Sequence, residues 1–329
     1  MLLSRRTVIA AAALASWRAP AIAQSSAQSG KVAQVGLVTV GAPGTSVLSP
    51  ALVSAFAKRG YAEGKNIAFE KRAAQGKPDR LPGFIDELVA KRVDVIITSS
   101  YPAALTAKER AGTIPVIVTF SGDPVATGLV ASLAHPGGSI TGVSEIAAEL
   151  SAKRLAVLKE AVPSTKAVAV LWNADDLGMT LRYQAAEAEA KRVGMLIVPL
   201  GVHAPDDFDT AFSEMTKTPP DAILMVTDVL TLLNRKRVID FAAEHRLPAI
   251  YEYASLVHDG GLMSYGPDQA GILDRAAGLA DRILKGAKPA DLPLELPSRF
   301  ELAINLKTAK TLGLTIPEAI VVRADDVIE

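Results

Sequence analysis

Five short stretches place hydroxyl, amide and carboxylate side chains directly after runs of β-branched residues, where this chain could do chemistry. Ser99-Ser100-Tyr101-Pro102 follows VDVIIT, and Phe120-Ser121-Gly122-Asp123-Pro124 follows IPVIVT. Farther along stand Trp172-Asn173, Thr227-Asp228 and Tyr251-Glu252. Ser100 or Tyr101 falls near the N-cap of the stretch AALTAKER, with Pro102 in its first turn. That arrangement offers free backbone N–H groups and hydroxyls at the positive end of a helix dipole, enough to hold a carboxylate-sized anion. Plain helix capping fits the same residues equally well, and position at a strand end favours a ligand. Asp123 could pair with a ligand ammonium or hydroxyl, or cap its own Asp-Pro turn. Asn173, Asp228 and Glu252 suit a small polar ligand, with Phe120 and Tyr251 as aromatic neighbours. Core packing is the better reading for Trp172; for Asp228, ligand contact is. Tyr251 also fits a position packed under a hinge.

Enzymatic readings have less to stand on. No G-x-G-x-x-G follows the first β-branched run, and neither a phosphate loop nor a G-x-S-x-G elbow occurs; Gly41-Ala42-Pro43-Gly44 is too loose a match. The four histidines, His135, His203, His245 and His258, show no chelating spacing, and there is no cysteine. No metal, cofactor, disulfide or catalytic residue is therefore expected, nor a lipid-modified cysteine anchor. Lys+Arg and Asp+Glu both number 35, interspersed along the chain, so no electrostatic footprint points to nucleic acid or an anionic membrane surface.

The elements that must position these residues alternate β-branched runs with longer amphipathic stretches, the βαβ pattern of a parallel sheet. Strands are expected at Val32 to Val40, Ile67 to Arg72, Val93 to Thr98, Ile114 to Thr119 and Ile140 to Val143. The succession restarts at Ala167 to Trp172, Met195 to Leu200, Ala222 to Val226, Ala249 to Tyr251 and Leu262 to Tyr265. Two lobes also suit the length of 329 residues, beyond the size at which single cores stop growing. Between the lobes, Leu150, Leu155 and Leu158 line one helix face, so the chain crosses near Ser144 to Ala148. Further crossings fall near Ser264 to Asp268 and Phe300 to Leu306, which makes a three-segment hinge. The expected lobes are residues 31–144 with about 267–299, and 145–266 with about 300–329. In open parallel sheets ligands sit beyond the carboxyl ends of the strands. A ligand would thus bridge Ser99, Ser100 and Asp123 on one lobe to Asn173, Asp228 and Glu252 on the other.

The chain begins with an address. Arg5 and Arg6 precede an alanine-rich apolar run too short to span a bilayer, and Ala21-Ile22-Ala23 supplies small residues for a signal peptidase. Residues 1–23 are expected to be removed after Ala23, with 24–30 a flexible leader. The paired arginines resemble a twin-arginine signal, while Val8 and Ile9 leave the general secretory route open. Either route leads to the periplasm.

GYAEGKN (60–66), PDRLP (78–82), DPVATGLVASLAHPGGSITG (123–142), HRLPAIY (245–251), GGLMSYGP (260–267) and INLKTAKTLGLTIP (304–317) occur in this order. Together they resemble the ABC transporter substrate-binding proteins of the TrpX-like, tryptophan- and tyrosine-binding type, from about Val32 to Glu329. The resemblance implies a type I periplasmic binding fold of two Rossmann-like lobes closing on a ligand. It also implies a monomeric, non-enzymatic receptor for an amino acid or related solute, with a permease and an ATPase as partners. Where that family commonly has a Thr-Gly-Thr-Pro type loop, this chain has Ser99-Ser100-Tyr101-Pro102. A Tyr101 that stacks on the ligand favours an aromatic solute; one that only fills space favours a smaller solute. A periplasmic sensor serving a signalling partner is the alternative on the same fold.

Overall fold

The computed structural model describes residues 31–329. The expected signal segment 1–23 with its cleavage after Ala23, and the expected leader 24–30, lie outside the described residues.

The first sheet grows from a strand whose buried stretch is apolar up to its last residue, Thr39. β1 (Ala33–Thr39) lies between β2 (Ile67–Ala73) and β3 (Val95–Ser99), followed by β4 (Val116–Thr119) and β5 (Ile140–Gly142), in the order β2-β1-β3-β4-β5. Every pairing is parallel. A parallel sheet must be covered on both faces. Val35, Leu37, Val95 and Ile97 face α1 (Pro50–Ala57), while Val38, Ile96, Val116 and Val118 face α2 (Leu81–Ala90) and α3 (Tyr101–Arg110). Gly36 lets α2 sit close, since a Cβ there would lie 2.8 Å from Leu88 Cδ1.

The second lobe repeats the scheme. It runs α4 (Ala147–Ala161), β6 (Ala167–Asn173), α5 (Leu177–Arg192), β7 (Leu196–Val202), α6 (Asp207–Lys217), β8 (Ala222–Met225), α7 (Val229–Leu233), α8 (Arg235–Glu244), β9 (Ala249–Tyr251), α9 (Ala254–His258) and β10 (Met263–Pro267). The chain then returns to the first lobe as α10 (Gln269–Leu284), whose Ile272, Leu273, Ala276, Leu279 and Ala280 complete the cluster on the α1 face of the first sheet. Arg59 fixes the packing of α10 by a two-toothed grip on Asp274, at 2.8 and 3.0 Å. The second lobe closes with β11 (Phe300–Asn305), α11 (Leu306–Leu312), α12 (Glu318–Val321) and β12 (Asp326–Ile328). Its sheet order is β12-β11-β10-β9-β8-β6-β7, with only the β10/β11 pair antiparallel among the described strands.

Three segments join the sheets, and they are tied to one another. Ser144 N–H donates to Glu295 O at 2.9 Å, and Asp268 N–H to Arg299 O at 3.2 Å. A cavity of about 110 Å³ lies beside them, bordered by Glu252, Tyr253, Ser255, Asp268, Gln269 and Glu301.

Candidate functional site

On the first lobe, the loops after β1, β3 and β4 make one wall. Ser99 ends β3 buried, sharing a 2.6 Å hydrogen bond with Ser46 from the loop after β1. Ser100 stands at φ +90°, a region that a residue with a Cβ enters only at a cost. Its N–H is held by Thr119 O at 3.2 Å, its hydroxyl has no partner, and it makes no side-chain cap to α3. The first turn of α3 thus carries N–H groups that no side chain at the N-cap satisfies. Phe120, at φ +49°, leans half-buried on the first-lobe core, and next to it Ser121 is fully buried with its hydroxyl unpartnered. Asp123 is placed differently from a free ligand contact: its Oδ1 accepts from the N–H groups of Val125 (3.0 Å) and Ala126 (3.1 Å), holding its own turn.

The facing wall comes from the second lobe. Asn173 Nδ2 donates to Asp228 Oδ2 at 2.6 Å, while Asp228 Oδ1 caps α7 through Thr231 N–H at 2.9 Å in a reciprocal box. Beside them the Thr227 hydroxyl is buried without a partner. Asp176, absent from the sequence-based candidates, caps α5 and is 3% exposed. Burial, and then the like charge of Asp228, push its carboxyl from the usual 3.8 up to about 6.

Beneath this wall runs a fully buried charge chain. Glu252 accepts from Arg154 Nη1 at 3.0 Å through Oε1 and from Arg182 Nη1 at 2.8 Å through Oε2. Arg182 Nη2 reaches Glu145 Oε2 at 3.2 Å, and Tyr253 OH donates to Glu145 Oε1 at 3.1 Å. Burial raises the Glu145 carboxyl against the pull of Arg182, and burial followed by Glu145 and Glu252 lifts the Tyr253 phenol far above its usual range. Two guanidinium groups facing two carboxylates keep the chain neutral, which suits an interior of low dielectric. Glu252 is therefore spoken for on both oxygens. Tyr251, expected near a ligand, is wholly buried in the cluster beneath the second sheet, its ring against Gly261, where a Cβ would come within 2.5 Å. Strand alternation explains this: Tyr251 points to the α8 face, away from the facing loops. Trp172 is a core residue too, stacked on Tyr183 at 3.9 Å.

The two walls meet. A Cβ on Gly178, in the first turn of α5, would lie 3.1 Å from Asp176 Oδ1, 3.5 Å from Ser121 O and 3.7 Å from Tyr101 Cβ. One on Gly122 would lie 3.6 Å from Arg182 Nη2 and 3.8 Å from its Nε. Val229 packs into the first-lobe cluster containing Ala74 and Leu81, and a Cβ on Gly76 would touch Leu233 at 3.1 Å. The structure thus gathers Tyr101 and Ser121 against Gly178 and Asp176, and Gly122 against Arg182. Ser121 lay inside a stretch already singled out. Arg182 sits mid-helix in LRYQAAEAEAKR, where nothing in the spacing separates a buried arginine from a solvated one.

Two Rossmann-like lobes with strand-end loops facing across a three-segment hinge define a type I periplasmic binding protein. The sequence profile of the ABC transporter substrate binding protein family matches residues 31–328, and the chain belongs to that family, one of solute-binding proteins rather than enzymes. Among curated proteins it is 28% identical over 263 residues to a tyrosine-binding protein of Clostridioides difficile strain R20291, covering 80% of this chain and 75% of the relative. Among solved structures it is similar to an ABC domain from Streptococcus pneumonia in complex with L-Trp, with a TM-score of 0.85, 25% identity and coverage of 91% of this chain and all of that one. A conserved domain protein from Vibrio cholerae superposes with a TM-score of 0.84 at 26% identity, over 90% of this chain and all of that one.

Proposed function

We propose that this chain is the periplasmic receptor of an ABC importer, closing its lobes on an aromatic amino acid and presenting the closed form to a permease and its ATPase. It works as a monomer, with lobes formed by 31–144 plus about 267–299 and by 145–266 plus about 300–329. The observation that carries the reading is a cluster of unsatisfied polar atoms at the strand-end loops: of nine buried side-chain polar atoms without a partner among the described residues, four, the hydroxyls of Ser100, Ser121 and Thr227 and Nε of Arg182, belong to the facing walls. Buried polar groups are rarely left unpaired, so a group of them at one place calls for a partner from outside the chain. Asp176 and Asp228 supply acceptors suited to a ligand ammonium, and the Tyr101 ring, at the start of α3, offers a stacking face. The relatives named for tyrosine and crystallised with L-Trp support the aromatic side chain.

A ligand that binds only the folded state must raise the melting temperature. A thermal-shift series on the mature chain with L-tyrosine, L-tryptophan, aliphatic amino acids, sugars, short peptides and nucleosides tests the reading. Clear shifts with the aromatic amino acids are expected; a shift with sugars or nucleosides alone overturns it.

A further inference from the structure

We infer that Ile146 is a strained spring in the first crossing segment, wound while the two walls meet and released when they part, so that it sets how readily the receptor opens. The inference rests on the receptor reading above, and it concerns the empty protein as much as the loaded one.

Ile146 stands at φ +46° and ψ +42°, in the left-handed region, directly ahead of the fifteen-residue helix α4. There the Cβ of an L-residue crowds the following carbonyl oxygen, and a branch at Cβ adds to the crowding. Glycine, asparagine and aspartate are the residues that ordinarily occupy this state. Position adds a second misfit. A residue at a helix N-cap is ordinarily extended and offers a side-chain acceptor to the first turn, and Ile146 does neither. Burial does not account for the conformation: Ile146 is only partly buried and belongs to none of the four core clusters of the described residues.

What holds the backbone there is the residue before it, which both lobes grip. Glu145 N–H donates to Gly122 O at 3.4 Å, in the first-lobe loop between β4 and β5. Its carboxylate, 2% exposed, accepts from second-lobe Arg182 at 3.2 Å and Tyr253 at 3.1 Å. One residue earlier, Ser144 is tied to Glu295 in the third crossing segment. Immediately afterwards Ile146 O accepts from Leu150 N–H at 3.1 Å, and α4 is under way. The chain must therefore pass from a residue fixed by both lobes into a fixed helix within one peptide, and Ile146 makes the bend.

A residue in a sparsely populated backbone state persists only while its surroundings over-determine it. Arg182 and Gly122 lie against each other across this joint, so parting the lobes draws the Glu145 backbone partner away from the Glu145 side-chain partner. One grip is then lost, and Ile146 can return to negative φ. The strain belongs to the closed form and favours the open one. A receptor that closed with nothing inside would offer an empty closed form to its partner. A wound hinge holds the empty form open until the contacts of a ligand offset the strain.

The chain has no cysteine, so Asp79→Cys and Lys236→Cys, exposed positions on the first and second lobes, can carry a pair of spin labels whose separation reports the opening. Ile146→Gly and Ile146→Asn admit the left-handed state, whereas Ile146→Val keeps the branched Cβ. In the ligand-free mature protein the first two should move the distance distribution toward the short, closed separation, and Ile146→Val should match the parent. On titration with L-tyrosine, Ile146→Gly and Ile146→Asn should bind roughly 5- to 30-fold more tightly than the parent. Asparagine can also cap α4, which raises the melting temperature of open and closed forms alike. A changed melting temperature with unshifted ligand-free distances and an affinity within about two-fold of the parent therefore overturns the spring. A shift of Ile146→Gly and Ile146→Asn toward longer separations overturns it too. If no amino acid binds while the ligand-free distances shorten as expected, the spring stands and the amino-acid reading falls.

Discussion

Replacing Asp176 by Asn should make the unliganded protein more stable at pH 8 while weakening its grip on an amino acid. The carboxyl titrates near 6 in the fold against an ordinary 3.8, chiefly from burial and then from the neighbouring Asp228. A raised carboxyl is a cost of folding that is fully present above about pH 6, fades as pH falls from 6 to 3.8, and is gone below that. A shift of about 2 units at ~1.4 kcal/mol each corresponds to about 3 kcal/mol. Asn caps a helix as well as Asp does, so the bond to Met179 N–H survives the exchange. For a chain of roughly 300 residues the unfolding entropy is ~0.6 kcal/mol per degree, so Asp176→Asn should melt about 5 °C higher at pH 8. The gain should shrink through pH 6 and vanish near pH 4, as followed by differential scanning calorimetry without ligand. The affinity of the parent for L-tyrosine should fall as pH drops below 6, because the protonated acid no longer attracts an ammonium. An unchanged or lower melting temperature at pH 8 would refute the reasoning, since it would mean that Asp176 ionises in the fold without penalty.

Three further changes follow, two in the frame that holds the site and one away from it. Arg154→Met removes a buried cation that serves Tyr265 O at 2.7 Å and Glu252 Oε1 at 3.0 Å. Breaking such a pair costs about 3–5 kcal/mol, which urea denaturation should read as a lowered midpoint with an unchanged slope. Gly266→Ala places a Cβ 2.0 Å from Glu252 O, so a backbone must shift beside the second crossing segment, whereas a Cβ on Gly83 in α2 meets nothing within 4 Å. The first variant should lose about 1–3 kcal/mol and the second should gain up to about 1 kcal/mol. Chemical denaturation of the pair checks both signs.

The framework of this fold is legible in the sequence because parallel strands buried on both faces must be unbroken apolar runs, and such runs stand out. β9 is found at its full expected span, and the other central strands depart from expectation by a residue or two at their ends. β12 is not legible: it is three residues long, half-exposed at the sheet edge and headed by Asp325-Asp326, so neither length nor apolarity announces it. For the candidate site, position after a strand leads to Ser99, Ser100, Tyr101, Asn173 and Asp228, which the structure places in strand-end loops of the two lobes. It does not tell which way a side chain turns, and so includes Tyr251, whose ring faces the core, and Glu252, which two arginines claim. Arg154 and Arg182 escape notice for the converse reason. A charged residue at helical spacing reads as solvated, and only the meeting of α4, α5 and the crossing segments shows that each has a buried carboxylate waiting.

The return of the chain from β10 into α10 has a consequence for biosynthesis. Much of the apolar cover of one face of the first sheet is encoded after most of the second lobe, so the first five strands are made long before α10, which completes that face. At roughly 5–20 residues per second, the interval between Gly142 and Leu284 is on the order of ten seconds. Through that interval the face carrying Val35, Leu37, Val95 and Ile97 has α1 but lacks the α10 side chains that share its cluster in the finished protein. The core of the first lobe is therefore completed only once the chain has passed through the second lobe and returned as α10.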